Sequence, residues 1–335
     1  VAAINFSDRA IRSRGYSADS PLGRAALAAL RAPSLLNTQP WRWRVHDGSA
    51  ELWADRSRQL TSIDPDGRLL ILSCGIALHH AMVALTIIGH RPQVDVRPDA
   101  TTPDLLAVVR AGAEQRPSFA DQRAFQAMLA RRTDRRPAPR DVCIPAYRLQ
   151  QLRDAAERHG AHLHLLPHEQ VPVLIVAATH AAAIETADPG VRGDLARWTH
   201  RPTGGGDGVT ASSVVPQIPR RVPQREFLPN DDAGLDAGEG NDQTANYAIL
   251  FSDGDEPADW LAAGQALSAL LIAATEHRIS VNPISNVVEV EPTRATLAGL
   301  LSQLGHPMIA LRLSVAAATP PPPEPRRSPE EMIES

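Results

Sequence analysis

The 335-residue sequence predicts an α+β fold built from two related halves. Short alternating or apolar runs of strand length are interleaved with alanine- and leucine-rich helical runs. Two long apolar helices match when Gly75 is set opposite Gly264: Leu72 then meets Leu261, Ala77 meets Ala266, Leu78 meets Leu267, Ala84 meets Ala273 and Thr86 meets Thr275. The order after each helix also repeats, with a short strand and then a second strand ending in an arginine, Val109-Arg110 in one half and Leu311-Arg312 in the other. A duplicated unit would bury its apolar helix against its twin, as two subunits of a dimer do.

Taken in order, Pro21 to Leu30 has helical composition, with Ser20 placed to cap it and Pro21 at the first helical position. Trp41 to Val45 and Ala50 to Ala54 read as strands joined by the hairpin turn His46-Asp47-Gly48-Ser49. Asp64-Pro65-Asp66-Gly67 starts the long helix Arg68 to Ile88, which Gly89 ends. Gln93 to Arg97 and Leu105 to Val109 read as strands, and the first half, residues 1–112, closes near Gly112. The second half, 113–335, opens with the helices Phe119 to Arg131 and Pro145 to His159, then a strand at Ala161 to Leu166. Pro172 to Ile184 and Arg192 to Thr199 are helical. Residues 203–245 are rich in Gly, Pro and Asp with few apolar anchors, the composition of a long functional loop or lid. The strand Tyr247 to Ser252, the helix Asp259 to His277, the strand Ile279 to Asn282, the helix Arg294 to Leu301 and the strand Met308 to Val315 follow. The tail, 316–335, is proline-rich and then charged.

Composition narrows the function classes. Hydrophobic residues are 43% and charged residues 21%, which is globular usage, and the formal net charge of -4 offers no global field for nucleic acid or an anionic membrane. Cys74 and Cys143 form no C-x-x-C pair and suit a reducing, cytoplasmic setting. The most apolar run, Leu69 to Ile88, is interrupted by Ser73, Gly75, His79 and His80, so a core helix is expected there rather than a membrane span.

The most specific stretch is Pro33-Ser34-Leu35-Leu36-Asn37-Thr38-Gln39-Pro40-Trp41, where two prolines bracket small hydrogen-bonding residues and fix a loop. The second half begins with Arg131-Arg132-Thr133-Asp134-Arg135-Arg136, whose arginine forks match phosphate oxygens. A Pro-Ser-x-x-Asn-x-Gln-Pro-Trp loop together with an Arg-x-Ser/Thr segment resembles the FMN-dependent nitroreductase superfamily. The length, the halves and the Arg-Arg-Thr-Asp-Arg-Arg segment are most similar to its duplicated single-chain branch, the Acg-like NAD(P)H nitroreductases.

That resemblance implies a nitroreductase-like fold, a mixed β-sheet flanked by helices and duplicated as a pseudo-dimer. It implies FMN as cofactor, NAD(P)H as electron donor and a nitroaromatic or quinone-like acceptor. By the same resemblance, Pro33, Ser34, Leu35, Asn37 and Gln39 face the flavin ring, and Arg131, Arg132, Thr133 and Arg135 hold the phosphate. Pro283, Ile284, Ser285 and Asn286 run past the N5 edge, and Arg312, Arg326 and Arg327 return to the phosphate. Trp260 and Gln265 are further candidates on the long helix, with Trp260 read first as core. Leu304-Gly305-His306-Pro307-Met308 resembles the family's Gly-Tyr-Pro turn.

The two halves are complementary rather than equivalent. The first carries the loop but only a weak clamp, Ile11-Arg12-Ser13-Arg14; the second carries the clamp but has Glu157-Arg158-His159-Gly160-Ala161 where a second loop belongs. One good site per chain, and a monomer, are therefore expected. No side chain is assigned a catalytic role, because the flavin carries the chemistry.

Competing motifs fail. Gly204 to Gly208 follows no strand and opens no helix, no G-x-S-x-G elbow exists, and His168-Glu169 lacks the second histidine of a zinc protease. His159, His162, His164 and His168 lack a carboxylate or cysteine at ligand spacing, so no metal is expected. The alternative to an enzyme is a flavin-holding protein whose 203–245 segment covers FMN; a cofactor-free interaction module is the third reading.

Overall fold

The computed structural model describes residues 19–199, 201, 204–227 and 233–334. The expected weak clamp at Ile11 to Arg14 lies outside the described residues, as do parts of the 203–245 segment. In the first half, α1 (Pro21–Ala29) is capped by the Ser20 hydroxyl, which accepts from the Gly23 amide at 3.0 Å. β1 (Trp41–Val45) and β2 (Ala50–Ala54) form a hairpin. α2 (Arg68–Ile88) follows, and the left-handed Gly89 ends it. β3 (His90–Val96) and β4 (Leu105–Glu114) complete this half.

The second half contains α3 (Phe119–Ala130), α4 (Ala146–Glu157), β5 (His162–Leu165), α5 (Val171–Ala187) and α6 (Pro189–Thr199). It continues through β6 (Asn246–Ser252), α7 (Pro257–Glu276), β7 (Ile279–Ile284), α8 (Asn286–Glu289), α9 (Glu291–Leu300) and β8 (His306–Val315). The tail ends in α10 (Pro329–Met332) and β9 (Ile333–Glu334).

The strands make two sheets, β3-β4-β2-β1-β9 and β5-β6-β8-β7. Within β1–β4 and β5–β8 every pairing is antiparallel, and the second order read backwards repeats the first strand for strand. The ninth strand is the addition: the chain crosses from the second half to pair parallel with β1, with Trp43 opposite Ile333. The tail is thereby fastened to the other half.

The centre of the molecule is the crossing of α2 and α7. A Cβ at Gly75 would lie 2.2 Å from the Leu261 carbonyl oxygen, and one at Gly264 would lie 2.0 Å from that of Leu72. Only glycine lets the two backbones approach this closely. The contact is reciprocal, since Leu72 and Leu261 are themselves matched residues. One turn on, His79 Nδ1 lies 2.9 Å from Ser268 Oγ, a pair 189 residues apart, the spacing that also separates Gly75 from Gly264. In the sheets Gln93 and Asn282 share this offset and each faces an arginine, Arg110 and Arg312, although the two arginines are 202 residues apart.

Two expectations shift. The first half runs past Gly112, because β4 extends to Glu114 as the partner of β3. β7 extends through Pro283 to Ile284, which the proline permits because β7 is an edge strand and its missing N–H breaks no ladder. Between β5 and β6 the chain carries α5 and α6 ahead of the glycine-rich stretch. Three segments, Arg68–Ile88, His168–Ala187 and Pro257–Glu276, are long and apolar enough to cross a membrane by length and composition; the first and last pack inside this fold.

Candidate functional site

A cavity of about 540 Å³ lies between the halves. Pro33, Ser34, Leu35 and Leu36 of the loop, with Leu69, Leu72, Ser73 and Ile76 of α2, form its first-half wall. Leu267 and Leu271 of α7 and Ile309 of β8 continue the apolar lining, while Asn282, Ser285 and Asn286 give one polar edge. Arg131, Thr133 and Arg135 stand in the wall between α3 and α4, and residues 214–220 and 223–227 of the insertion close it.

The loop holds a strained conformation. Leu36, Asn37 and Gln39 have φ of 46°, 54° and 50°, a left-handed backbone costing about 1–3 kcal/mol per non-glycine residue. Internal bonds hold it: Ser34 Oγ accepts from the Gln39 amide at 2.8 Å, and Thr38 Oγ1 donates to the Leu35 carbonyl at 2.9 Å. Ser73 on α2 accepts from the Leu35 amide at 3.3 Å, which ties the loop to the helix beneath it.

Asn37 and Gln39 are absent from the cavity wall. Asn37 Nδ2 donates to the carbonyls of Gly208 and Pro325, both at 3.1 Å, and its Oδ1 accepts from Arg326. Gln39 Nε2 donates to the Gly206 carbonyl at 2.8 Å, and its Oε1 accepts from the Arg327 amide at 3.0 Å. The resemblance implies both at the flavin ring; here their side-chain amides join residues 206–208 to the tail, because both segments bring backbone groups alongside the loop.

The arginines divide into neutralised and unneutralised sets. Arg312 is fully buried between Asp242, at 2.6 Å, and the carbonyls of Asp134 and Arg136, so it is structural and not part of the wall. Arg327 faces Glu331 and Gln39 and also stands outside the wall. Arg135 lines the cavity but pairs with Glu324 at 3.0 Å. Arg220 pairs with Asp242, and Arg225 with Glu185 and Glu289.

Arg131 differs from these. It is buried; among the described residues no carboxylate lies within ion-pair distance and its Nε has no hydrogen-bond partner, while its Nη1 donates to Thr133 Oγ1 at 3.4 Å and Glu324 acts on it only through its field. Burial, reinforced by the charges of Arg326 and Arg132, lowers its pKa to about 9. Arg132 turns its guanidinium to the carbonyls of Leu129 and Arg131, and Arg326 to Asn37 and the Arg31 carbonyl; neither lines the cavity, but both add positive field behind Arg131. His80 is buried in the same cluster with both ring nitrogens unpartnered, and burial and Arg131 hold it neutral. A buried guanidinium with an unpartnered N–H is chemically suited to donate to an oxyanion.

The cavity therefore joins an apolar slot, a polar edge and one unneutralised cation. Of the residues read from the sequence, it gathers Pro33, Ser34, Leu35, Arg131, Thr133, Arg135, Pro283, Ile284, Ser285 and Asn286. It leaves out Asn37, Gln39, Arg132, Arg312, Arg326 and Arg327. Trp260 donates its indole N–H to Asp255 at 2.7 Å, and neither it nor Gln265 reaches the wall. The insertion residues Arg220, Gln224, Arg225 and Phe227 were not read from the sequence. Their only signal was the cluster Arg220-Arg221-x-Pro223-Gln224-Arg225 inside an otherwise polar loop. Among the described residues no group of three His, Cys, Asp or Glu could hold a metal ion; His162 faces Asp253, and His164 faces Gln170.

Over 323 residues the chain is 36% identical to "Putative NAD(P)H nitroreductase Rv3131" of Mycobacterium tuberculosis, covering 91% of this chain and 89% of that protein. The chain belongs to the NAD(P)H nitroreductase family. "Putative NAD(P)H nitroreductase acg" of the same organism is 28% identical over 317 residues, covering 92% of this chain and 94% of its own length. No family model matches the chain. Among solved structures, the FMN-dependent nitroreductase NfnB of Mycobacterium smegmatis in complex with NADPH aligns with TM-score 0.40 and 16% identity, over 63% of this chain and 97% of its own. An FMN-bound nitroreductase of Bacteroides fragilis aligns with TM-score 0.38 and 15% identity, over 61% of this chain and 94% of its own.

Proposed function

We propose that this nitroreductase-family chain binds one FMN in the cavity between its halves and is an NAD(P)H-dependent oxidoreductase. Arg131 carries this reading: the protein buries a cation at the end of an apolar slot without neutralising it, which is unfavourable unless an anionic ligand completes the site. FMN has the matching parts, a planar apolar ring, a polar edge and a terminal phosphate. Bound there, it would supply two-electron chemistry between NAD(P)H and a nitroaromatic or quinone-like acceptor.

The chain's own residues bind and orient. Arg131 and Thr133 would hold the phosphate, with Arg132 and Arg326 supplying field from behind. Leu69, Leu72, Ile76, Leu267 and Leu271 would exclude water from the ring. Asn282, Ser285 and Asn286 would face its polar edge. Purified protein should show a flavin absorption band or acquire one with added FMN, and NAD(P)H should bleach it; protein that takes up no FMN would refute the reading.

We further propose that the fold arose by internal duplication and that the protein is a monomeric, cytoplasmic pseudo-dimer. The self-matching contacts support the duplication: residues on a two-fold axis meet their own equivalents, as Gly75 meets Gly264 and His79 meets Ser268. A second functional reading, flavin storage, is favoured by one observation. The insertion itself forms part of the cavity wall and is bonded there, with Asn282 Nδ2 donating to Gln224 Oε1 at 2.5 Å. If this cover excludes nicotinamide, NAD(P)H will bleach the flavin only after residues 214–227 are removed.

A further inference from the structure

Arg225 stands in the cavity wall on the insertion, and its Nη2 is gripped by two buried carboxylates from other elements, Glu185 on α5 and Glu289 on α8. All three side chains are at most 8% exposed. Glu289 spends Oε2 on Arg225, while its Oε1 is buried without a hydrogen-bond partner. With both carboxylates ionised the cluster carries one uncompensated negative charge away from water, a costly arrangement. One proton on Oε1 cancels it and leaves both bonds to Arg225 in place.

We propose that Glu185, Arg225 and Glu289 form a proton-dependent latch that fastens residues 214–227 over the cavity, closed most firmly when Glu289 is protonated. The regulated site is the flavin cavity of the preceding reading, but the latch itself is a property of the free protein.

The surroundings support the assignment to Glu289. The charged groups acting on it are Arg225 and Glu185, and the Ser285 hydroxyl at the start of α8 hydrogen-bonds to its carboxylate, which with Arg225 opposes the rise in its pKa. On α9, Arg294 donates to the Val288 carbonyl and lies in the field of Arg68, Asp255, Glu291 and Asp66. On β8, Arg312 is neutralised by Asp242. Glu226, next to Arg225, is exposed. Burial, aided by repulsion from Glu185, raises the Glu289 pKa to about 7, against the opposing effect of Arg225. A carboxyl that binds its proton more tightly in the closed form favours closure at low pH. That advantage is lost progressively between the ordinary glutamate range and about 7, so the latch loosens as pH rises to neutrality.

Hydrogen exchange of the ligand-free full chain tests this, read as protection factors for 214–227 corrected for intrinsic rates. Protection should fall by up to about tenfold per pH unit between pH 5 and 7 in the wild type. Glu289→Gln, which fixes the neutral form, should keep high protection throughout. Glu185→Gln removes the repulsion and should also flatten the profile. Arg225→Met should give low protection at every pH. Wild-type pH dependence in both glutamine variants, or a flat wild-type profile, would overturn the latch. The measurement needs no flavin, so it fails separately from the cofactor reading; FMN release that accelerates with pH in wild type alone would then connect the two.

Discussion

Replacing Arg131 by methionine should move ligand affinity and stability in opposite directions. The guanidinium is buried, its Nε is unpartnered, and its pKa is held near 9 by burial and the charges of Arg326 and Arg132. In the free protein this charge is a liability. Leaving a buried polar group unsatisfied costs about 1–3 kcal/mol, so Arg131→Met should raise the stability of the ligand-free chain by about that amount. In the complex the same charge would meet the FMN phosphate. A hydrogen bond to a charged group contributes about 1.5–3 kcal/mol, so the variant should bind FMN about 10- to 150-fold more weakly. Urea unfolding of apo protein and fluorescence titration with FMN measure the two effects. A variant that is less stable and binds FMN as tightly as wild type would refute the assignment of Arg131 as an anion site.

Other substitutions and conditions probe the frame around the cavity. Gly75→Ala and Gly264→Ala each drive a methyl into backbone on the facing helix, at 2.2 and 2.0 Å from a carbonyl oxygen. Each should destabilise by about 3 kcal/mol or more, at the upper end of overpacking costs. Gly299→Ala, in α9 with nothing within 4 Å, should instead stabilise by about 0.5–1 kcal/mol. Thermal unfolding of the three separates the tight crossing from a general intolerance of alanine. Asn37→Ala should raise hydrogen exchange in both 206–208 and 324–327, since one side chain joins them; a change in only one segment would contradict that junction. Burial lowers the pKa of His79 to about 3 and that of His80 well below the ordinary value. A histidine held neutral binds fewer protons folded than unfolded, so stability is full above about pH 6.5 and falls toward pH 3, by up to about 1.4 kcal/mol per pH unit for each. Chemical denaturation from pH 7 to 4 reads this, and His80→Leu should reduce the slope.

The sequence disclosed what local rules and repetition encode. Ser20-Pro21 marks the start of α1, and Gly89 marks the end of α2, because capping and left-handed glycine are local chemistry. The 189-residue offset was visible as a match between two helices and reappears as the contact between His79 and Ser268. Pro33 to Leu36 and Arg131, Thr133 and Arg135 were legible as candidates because their residue types suit phosphate and tight turns, and they line the cavity. What each arginine is worth was not legible. Arg312 and Arg131 look alike in sequence, yet Asp242, seventy residues from the first, pairs with it, and among the described residues no carboxylate pairs with the second. The partners of Asn37 and Gln39 were out of view for the same reason, since they lie 167 to 289 residues away. The latch was invisible because Glu185, Arg225 and Glu289 come from three elements, and only Arg225 lies in the stretch whose composition suggested a loop.

Titration of the purified chain with FMN and with riboflavin tests the central claim most directly. One unneutralised arginine in one cavity between two halves predicts saturation at one FMN per chain, with riboflavin, which lacks the phosphate, bound at least about 10-fold more weakly. Equal affinity for the two flavins, or two FMN per chain, would contradict a single site whose anion pocket is Arg131.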